Sequence, residues 1–295
     1  MRNLILGTDW WTDCDDAVAL RLLCREVKAE KVNLLGIGIN ACMEYSVASV
    51  RGFLREEGVD NIPLGIDLSA TDYGGTPSYQ KHLALRLCPE GSNADAEDAV
   101  RLYRRLLSEC EGKVEIMEIG FLQVAVGLLE SAADDISPMS GMELVREKVS
   151  KMWVMAGKWD ADGEKEHNFC LNPSTRAAGK RFCEICPVPV TFLGWEVGFD
   201  VISGGDFLDA GDALRGVMTD HGSQNGRSSW DPMLVLMALI GDEAAAGYDT
   251  VIGTASVDAE TGANYFVRDD KGNHRYVVKK YENAYYEKAI NERLK

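Results

Sequence analysis

Four carboxylates crowd into the short segment GTDWWTDCDDA near the N-terminus: Asp9, Asp13, Asp15 and Asp16. Packing so many negative charges together is costly unless a cation compensates them, because each charge disfavours ionisation of its neighbours. Carboxylate oxygens are the hard ligands that Ca²⁺ and Mg²⁺ prefer. The cluster therefore predicts a metal site. The alternative interpretation is a helix N-cap within a solvated acidic loop.

Two other metal motifs fit this segment less well. An EF-hand loop that began at Asp9 would need Gly at its sixth position and Glu at its twelfth, and these positions hold Cys14 and Leu20. A metal-dependent phosphohydrolase could use Asp13 as the nucleophile and Asp15 as its partner. That motif places the first Asp directly at a strand end, whereas several residues intervene here, so this function stays a weaker alternative.

Polar side chains also follow several later segments that are predicted as strands. Asn40 follows the second strand, Gln123 comes shortly after the fourth, and Glu166 and Asn168 lie in the loop after the fifth. Asp231 opens a late helix in the sequence SSWDP. Ligands of open α/β sheets bind beyond the carboxyl ends of the strands. We therefore expect these side chains to converge on one site.

The elements that must position these residues alternate along the chain. Short apolar runs read as buried strands, and apolar residues at helical intervals separate them. This alternation predicts an α/β fold with a mostly parallel central sheet and helices on both faces. A turn between β-rich runs at 264–281 predicts a small β-hairpin near the C-terminus. With no linker in the sequence, we expect a single domain over 1–295. The predicted strands are 3–8, 32–40, 62–67, 114–120, 151–157 and 188–198.

Composition narrows the class of protein. The 295 residues are 46% hydrophobic and 26% charged, which is ordinary for a globular chain. Lys and Arg minus Asp and Glu is 31 − 47 = −16, a balance that argues against binding to nucleic acid or to an anionic membrane. No apolar run approaches the ~18 residues of a membrane span. The N-terminus lacks the pattern of a secretion signal and the eight cysteines lack a framework spacing, so we expect a cytoplasmic protein with reduced thiols.

In combination, these motifs resemble the nucleoside hydrolases of the inosine–uridine family, which depend on calcium. GTDWWTDCDDA resembles the aspartate-rich segment with which the family opens, and Asn40 matches an Asn after the second strand. Residues 120–124 loosely match a Gly-Pro-Leu-Thr-Asn turn, and 166–168 match a Glu-Phe-Asn triplet. Asp231 belongs to a matching Asp-Pro pair near the end of the chain. The resemblance covers nearly the whole sequence.

The resemblance implies a function and a set of residue roles. The function is hydrolysis of the N-glycosidic bond of ribonucleosides to ribose and free base, in purine salvage, by a homodimer or homotetramer. Carboxylates near the sugar suit this reaction because its transition state resembles an oxocarbenium ion. Calcium would be held by Asp9, Asp16, Asp231 and the main-chain carbonyl of Gln123, and Asp9 would also be the catalytic base. The ribose hydroxyls would be bound by Asp15, Asn40, Glu166 and Asn168.

The aspartate segment admits two alignments with the family. One keeps the spacing from Asp9 to Asp13, and the other keeps the pair Asp15 and Asp16 followed by Ala17. We prefer the second because that pair opens a helix, but Asp13 stays an alternative neighbour of the metal.

Trp230 is the most informative departure from the family pattern. Many members that accept pyrimidines have a His at this position, directly before the Asp-Pro pair. A Trp there resembles the purine-preferring branch, in which aromatic side chains stack on the base. His82 lies in a loop from which it could also reach the base. Two alternatives stay open: Trp230 as a core residue, and a non-catalytic or specialised member of the family that binds ribose or a nucleoside.

Overall fold

Apolar runs and amphipathic segments alternate along the chain, and in the computed structural model they form a sheet of eleven strands with helices on both faces. The structure describes residues 1–74 and 79–295. The strands are β1 (Arg2–Thr8), β2 (Val32–Ile39), β3 (Leu64–Ile66), β4 (Glu97–Asp98), β5 (Val114–Glu118), β6 (Val149–Met155), β7 (Glu164–Lys165), β8 (Val190–Leu193), β9 (Ile202–Ser203), β10 (Arg227–Ser228), β11 (Tyr248–Val257), β12 (Ala263–Arg268) and β13 (His274–Lys279). The helices are α1 (Asp15–Lys28), α2 (Ser46–Glu57), α3 (Gln80–Leu87), α4 (Ala99–Glu109), α5 (Gln123–Glu130), α6 (Gly141–Lys148), α7 (His167–Cys170), α8 (Pro173–Ile185), α9 (Trp195–Gly198), α10 (Ala213–His221), α11 (Trp230–Ile240) and α12 (Asn283–Leu294).

Strand β1 lies inside the parallel part of the sheet, paired with β2 on one side and β5 on the other. Its side chains Leu4, Ile5 and Leu6 are fully buried because both faces of the sheet are covered. The strand order is β4-β3-β2-β1-β5-β6-β8-β13-β11-β12-β7, and the pairings from β4 to β13 are parallel. The predicted α/β fold with a mostly parallel sheet is confirmed.

The antiparallel strands near the C-terminus pair differently from the predicted hairpin. Both predicted strands form, as β12 and β13, but each pairs with β11 instead of with the other. Near the C-terminus, the hairpin is formed by β11 and β12, and β9 and β10 form a separate antiparallel pair. Gly253 of β11 pairs with Arg268 of β12 on one edge and with His274 of β13 on the other. The connecting residues 269–273 must therefore pass over Gly253 from one edge of β11 to the other. A Cβ at Gly272 would collide with the Gly253 carbonyl, and glycine at 272 permits this close crossing.

Two buried helices lie beside the carboxyl ends of the parallel strands. Helix α1 begins at Asp15, as the spacing predicts, and buries one apolar face against the sheet and α11. Helix α11 contains the apolar run at 233–240, which is predicted as a buried helix and is almost wholly buried. The first turn of α1 carries Asp15 and Asp16, and the first turn of α11 carries Asp231. Among residues 1–74 and 79–295, no helix combines the length and apolar composition needed to cross a membrane.

Candidate active site

A cavity of about 260 Å³ opens beyond the carboxyl ends of β1 and β6. This volume is close to the lower end of the ~300–1,000 Å³ typical of small-molecule sites. The site residues predicted from the sequence that line it are Asp9, Asp15, Asp16, Glu166, Asn168, Trp230 and Asp231. The other lining residues are Trp11, Thr12, Asp13, Ile119, Met155, His167, Trp195 and Arg227.

Three carboxylates meet in the wall of this cavity. Oxygen atoms of Asp15, Asp16 and Asp231 all lie within 4.8 Å of one another, and the three residues are buried. Burial, followed by the charges of neighbouring aspartates, raises the pKa of each carboxyl well above its ordinary value. Two helix N-termini deliver them, α1 for the first pair and α11 for Asp231, and the positive end of a helix dipole favours an anion.

Main-chain strain supports the position of Asp16. The Thr8 hydroxyl donates to Asp16 Oδ1, and the main-chain N–H of Trp10 donates to the same oxygen at 3.2 Å. Trp10 has a φ of 46°, which is uncommon for a residue other than glycine. Its indole N–H donates to Ser49 Oγ at 2.9 Å, and its ring is fully buried. The strained turn thus directs an N–H at the carboxylate while the indole anchors the loop in the core.

Asp9 lines the same cavity, beside the three carboxylates. It directly follows β1, and its Oδ1 accepts the main-chain N–H of Trp11 at 3.1 Å. Burial raises its pKa to about 8, and the charges of nearby carboxylates act in the same direction. A buried group of four carboxylates with shifted pKa values is costly without a compensating cation. The donor set therefore fits a hard divalent cation such as Ca²⁺.

Asp13 differs from the other aspartates because it has a cationic partner. Arg227 donates to its two oxygens from Nε at 2.9 Å and from Nη2 at 2.6 Å. Burial opposes ionisation of Asp13, but this guanidinium holds its pKa below the ordinary value. The geometry therefore favours the alignment in which Asp15 and Asp16, not Asp13, stand in the acidic cluster.

Asn40 lies behind the cavity wall and is fully buried. Its Oδ1 accepts the N–H of Phe121 at 3.0 Å, and its Nδ2 has no partner among the described residues. A Cβ at Gly120 would collide with the Asp9 main chain and with Asn40 Oδ1, so Asp9 and the Asn40 amide both pack closely against that glycine. Gln123 begins α5, donates from its side chain to the Asn40 carbonyl and lines a separate cavity. Its role as a carbonyl ligand stays a prediction.

Glu166 and Asn168 enter the cavity from the start of α7. The two oxygens of Glu166 accept the main-chain N–H groups of Asn168 and Gly157, each at 2.9 Å. Burial raises the pKa of Glu166 to about 7, although these N–H groups favour its charged form. Asn168 Nδ2 donates to the Met155 carbonyl at 2.9 Å, which fixes the orientation of its amide. The pair presents oxygen and nitrogen atoms on one wall.

Aromatic rings form the remaining walls. Trp230 is half-buried, its Nε1 donates to the Trp195 carbonyl at 2.7 Å, and the two rings stack with centroids 6.4 Å apart. Trp11 stacks on His167 with centroids 5.7 Å apart and planes 21° from parallel. These surfaces can hold a flat, conjugated ligand group.

His167, Trp195 and Arg227 are among the lining residues that the sequence analysis did not identify. His167 stands between two predicted sugar ligands, so the rule that sites lie at strand ends could have found it. Trp195 falls inside the predicted strand 188–198, whereas β8 ends at Leu193 and Trp195 begins α9. Arg227 carried no such signal, because its partner Asp13 is 214 residues away in the chain. Conversely, the structure does not bring His82 to the cavity. Its side chain is 69% exposed and pairs with Asp220 at 2.7 Å.

Solved structures share this fold over almost the whole chain. The inosine-uridine preferring nucleoside hydrolase from Bacillus anthracis is 15% identical, with a TM-score of 0.68 over 100% of this chain and 99% of that one. The purine-preferring ribonucleoside hydrolase from Gardnerella vaginalis is 15% identical, with a TM-score of 0.71 over 99% and 98%. The type III effector protein XopQ, complexed with adenosine diphosphate ribose, is 14% identical, with a TM-score of 0.69 over 99% and 93%. No protein-family model and no curated protein matches the sequence. The chain therefore has the fold of the nucleoside hydrolases.

Proposed function

We propose that this chain hydrolyses the N-glycosidic bond of ribonucleosides, with purine nucleosides favoured and Ca²⁺ as the cofactor. The observation that carries the proposal is the meeting of Asp15, Asp16 and Asp231 within 4.8 Å in a cavity that Asp9, Glu166 and Asn168 also line. The shared fold supports it, because two neighbours of that fold are named as nucleoside hydrolases. All 295 residues would act as one domain.

Calcium would be held by Asp9, Asp16, Asp231 and the main-chain carbonyl of Gln123, with Asp15 beside them. When bound, it supplies a Lewis acid that makes a nearby water easier to deprotonate. The pKa values of the cluster support this assignment, because burial raises them without a cation and a cation would restore the charged forms.

The chain's own groups would perform the remaining tasks. Asp9 stands at the end of β1 with one oxygen on the Trp11 N–H, and its carboxylate would accept the proton of the attacking water. Asp15, Asn40, Glu166 and Asn168 would bind the ribose hydroxyls. The carboxylates would also stabilise the positive charge that develops on the sugar as the bond to the base breaks.

The test is hydrolysis of inosine by the purified full-length chain, with calcium and with a chelator. We expect ribose and hypoxanthine in equal amounts with calcium, and a loss of both products after chelation. Asp16→Asn, which keeps the size of the side chain and removes its charge, is expected to lose the activity. Inosine that stays intact under all conditions would contradict the proposal.

The same experiment separates the two alternatives. Binding of inosine or of adenosine diphosphate ribose without release of ribose would indicate a binding protein, and the second probe is chosen because one neighbour is complexed with it. Release of phosphate from an aryl phosphate would indicate a phosphohydrolase. The pairing of Asp13 with Arg227 disfavours that function, because a nucleophilic Asp13 would have to leave its guanidinium partner.

A further inference from the structure

We propose that His167 donates the proton that the departing base needs, and this inference rests on the proposed function. Breaking the bond between sugar and base leaves an electron pair on the base nitrogen. A proton delivered to the base at that moment lowers the barrier, typically by a factor of ~10²–10⁴. Trp230 lines the cavity, but an indole cannot supply that proton near neutral pH.

His167 has the position that the role requires. It lines the cavity between Glu166 and Asn168, the two residues expected to hold the sugar. Its ring stacks on Trp11, which limits how far the imidazole can rotate. The residue itself is exposed at the rim, so the ring can exchange protons with solvent. A proton donor must meet both conditions, since it has to face the substrate and be reprotonated in each cycle.

Trp230, Arg227 and Glu166 also line the cavity, but their polar groups are already hydrogen-bonded within the protein. Trp230 donates its indole N–H, the only donor of that side chain, to the Trp195 carbonyl. Arg227 does not lose a proton in proteins and is bound to Asp13. Each oxygen of Glu166 accepts a main-chain N–H, which holds the carboxyl against the backbone, although burial raises its pKa to about 7. Neither an indole, a guanidinium nor this carboxylate is therefore placed to protonate a base.

Of the described residues, His167 is the only histidine that lines the cavity. His82 is on the surface with Asp220, and His221 contacts Ser223 at 2.8 Å without lining the cavity. His274 is buried within the sheet, where it accepts a main-chain N–H.

The electrostatic surroundings of His167 suit an acid. Partial burial against Trp11 and Phe121 lowers its pKa, and the charge of Asp13 acts in the opposite direction. An imidazolium with a lowered pKa gives up its proton more readily than a free one. The position of the imidazole in the cavity is an observation of geometry, and the lowered pKa favours transfer of the proton from His167 to the base.

The proposed step balances in atoms and electrons. The bond from C1′ to the base nitrogen breaks and its electron pair passes to the base, which takes a proton from the His167 imidazolium at a ring nitrogen. The oxygen of a water bonds to C1′, and the proton of that water passes to Asp9. Solvent returns a proton to His167 and takes one from Asp9. The sum is nucleoside plus water giving ribose plus base.

The test compares two leaving groups in His167→Phe, a change that keeps an aromatic ring against Trp11 and removes the proton. With inosine, we expect kcat to fall by a factor of ~10² or more. With p-nitrophenyl β-D-ribofuranoside, whose phenolate departs without a proton, kcat should stay within a few-fold of the original protein. Unfolding temperature and circular dichroism establish that the variant is folded.

Two results would overturn the assignment. Equal losses on both substrates would show that the ring only packs or positions the sugar, and unchanged activity on inosine would show that it has no role. A second variant, His167→Ala, provides an independent readout, because added imidazole should restore inosine hydrolysis if a proton is what the site lacks. If the unaltered protein cleaves neither substrate, the proposed function itself fails, and this outcome is distinct from a failure of His167 alone.

Discussion

The main-chain N–H of Asp231 donates to Asp15 Oδ2 at 3.1 Å, joining residues that are 216 positions apart in the chain. This bond ties the first turn of α11 to the first turn of α1, and it brings two helix N-termini to one point. The acidic cluster is therefore a product of how the two helices pack. Neither helix contains all three carboxylates, so the packing of the two helices must offset the repulsion between the carboxylates.

Calcium should stabilise the protein through this cluster. An ion that binds only the folded state adds RT ln(1 + [L]/Kd), about 2.7 kcal/mol at one hundred times Kd. We expect the unfolding temperature to rise with added calcium in the unaltered chain, and to respond little in Asp231→Asn. Differential scanning calorimetry with and without calcium measures the difference.

The same variant, Asp231→Asn, also tests the stability of the metal-free protein. Burial raises the pKa of Asp231, which means that the charged carboxylate is unfavourable in the folded state. The neutral amide of Asp231→Asn should therefore stabilise the metal-free fold at pH 7. An Asp231→Asn protein that still gains stability from calcium as the unaltered chain does would show that this residue is not a ligand.

The sugar hydroxyls should decide which substrates are cleaved. Glu166 and Asn168 line the cavity with their orientations fixed by main-chain bonds, and Asn40 Nδ2 has no hydrogen-bond partner in the described part of the chain. A missing hydroxyl leaves such a group unpaired, at a cost of ~1–3 kcal/mol. We expect kcat/KM for 2′-deoxyinosine to be lower than for inosine by a factor of ~5–150. Equal values would mean that these residues do not read the 2′-hydroxyl.

Trp230 should favour purines over pyrimidines. Its half-buried ring lines the cavity and stacks on Trp195, and a purine offers more area for stacking than a pyrimidine. Such contacts contribute ~0.5–1.5 kcal/mol per aromatic pair beyond burial. We expect inosine and guanosine to be cleaved faster than uridine and cytidine.

The matched variants are Trp230→Ala and Trp230→Phe. The alanine variant should lose kcat on inosine more than it raises KM, because stacking strengthens as the base gains charge. The phenylalanine variant keeps an aromatic ring but loses the bond to the Trp195 carbonyl, and it should retain more activity than the alanine variant. A preference for uridine, or an unchanged kcat in Trp230→Ala, would show that the indole is only a packing residue.

A buried glutamate outside the cavity should make stability depend on pH. Glu118 is fully buried, accepts the Tyr103 hydroxyl at 3.1 Å and has no partner for Oε2 among the described residues. Burial raises its pKa from 4.5 to about 8. A raised pKa means that the folded state holds the proton more tightly, so this stability is present below pH 4.5 and is lost as the pH rises towards 8.

Glu118→Gln isolates this contribution because it is neutral at every pH. At ~1.4 kcal/mol per pKa unit, the stability of the unaltered chain relative to the variant should fall by on the order of 5 kcal/mol between acidic and mildly alkaline pH. Urea denaturation of both proteins at several pH values provides the comparison. Parallel pH profiles would show that Glu118 does not titrate in this way.

Much of the arrangement follows from local patterns. Apolar runs without alternation predict strands covered on both faces, and the parallel sheet that results puts its carboxyl ends along one edge. From that rule, Asp9, Asn40, Gln123, Glu166 and Asn168 are expected in one place. Asp9, Glu166 and Asn168 line one cavity, whereas Asn40 does not line it and Gln123 lines a separate cavity. The backbone period decides which residues are buried, so these predictions depend on few long-range contacts.

The pairing of charges and rings is different, because it depends on which surfaces meet. The sequence favours Asp15 and Asp16 over Asp13 only because that pair opens a helix. The fold alone gives Asp13 its guanidinium partner Arg227 and brings Asp231 to Asp15 and Asp16. The pairing of β12 and β13 with β11, instead of with each other, likewise depends on which strands meet in the fold.

The sequence by itself determined the α/β alternation, the strand ends that carry polar residues and the acidic segment that opens α1. Only the tertiary structure decided that His82 lies on the surface, that Trp195 and Arg227 line the cavity, and that Asp231 reaches Asp15. The physical reason is range. Periodicity and caps report on neighbours within a few turns, whereas a cavity is closed by side chains from distant elements whose approach is set by the packing of the whole core.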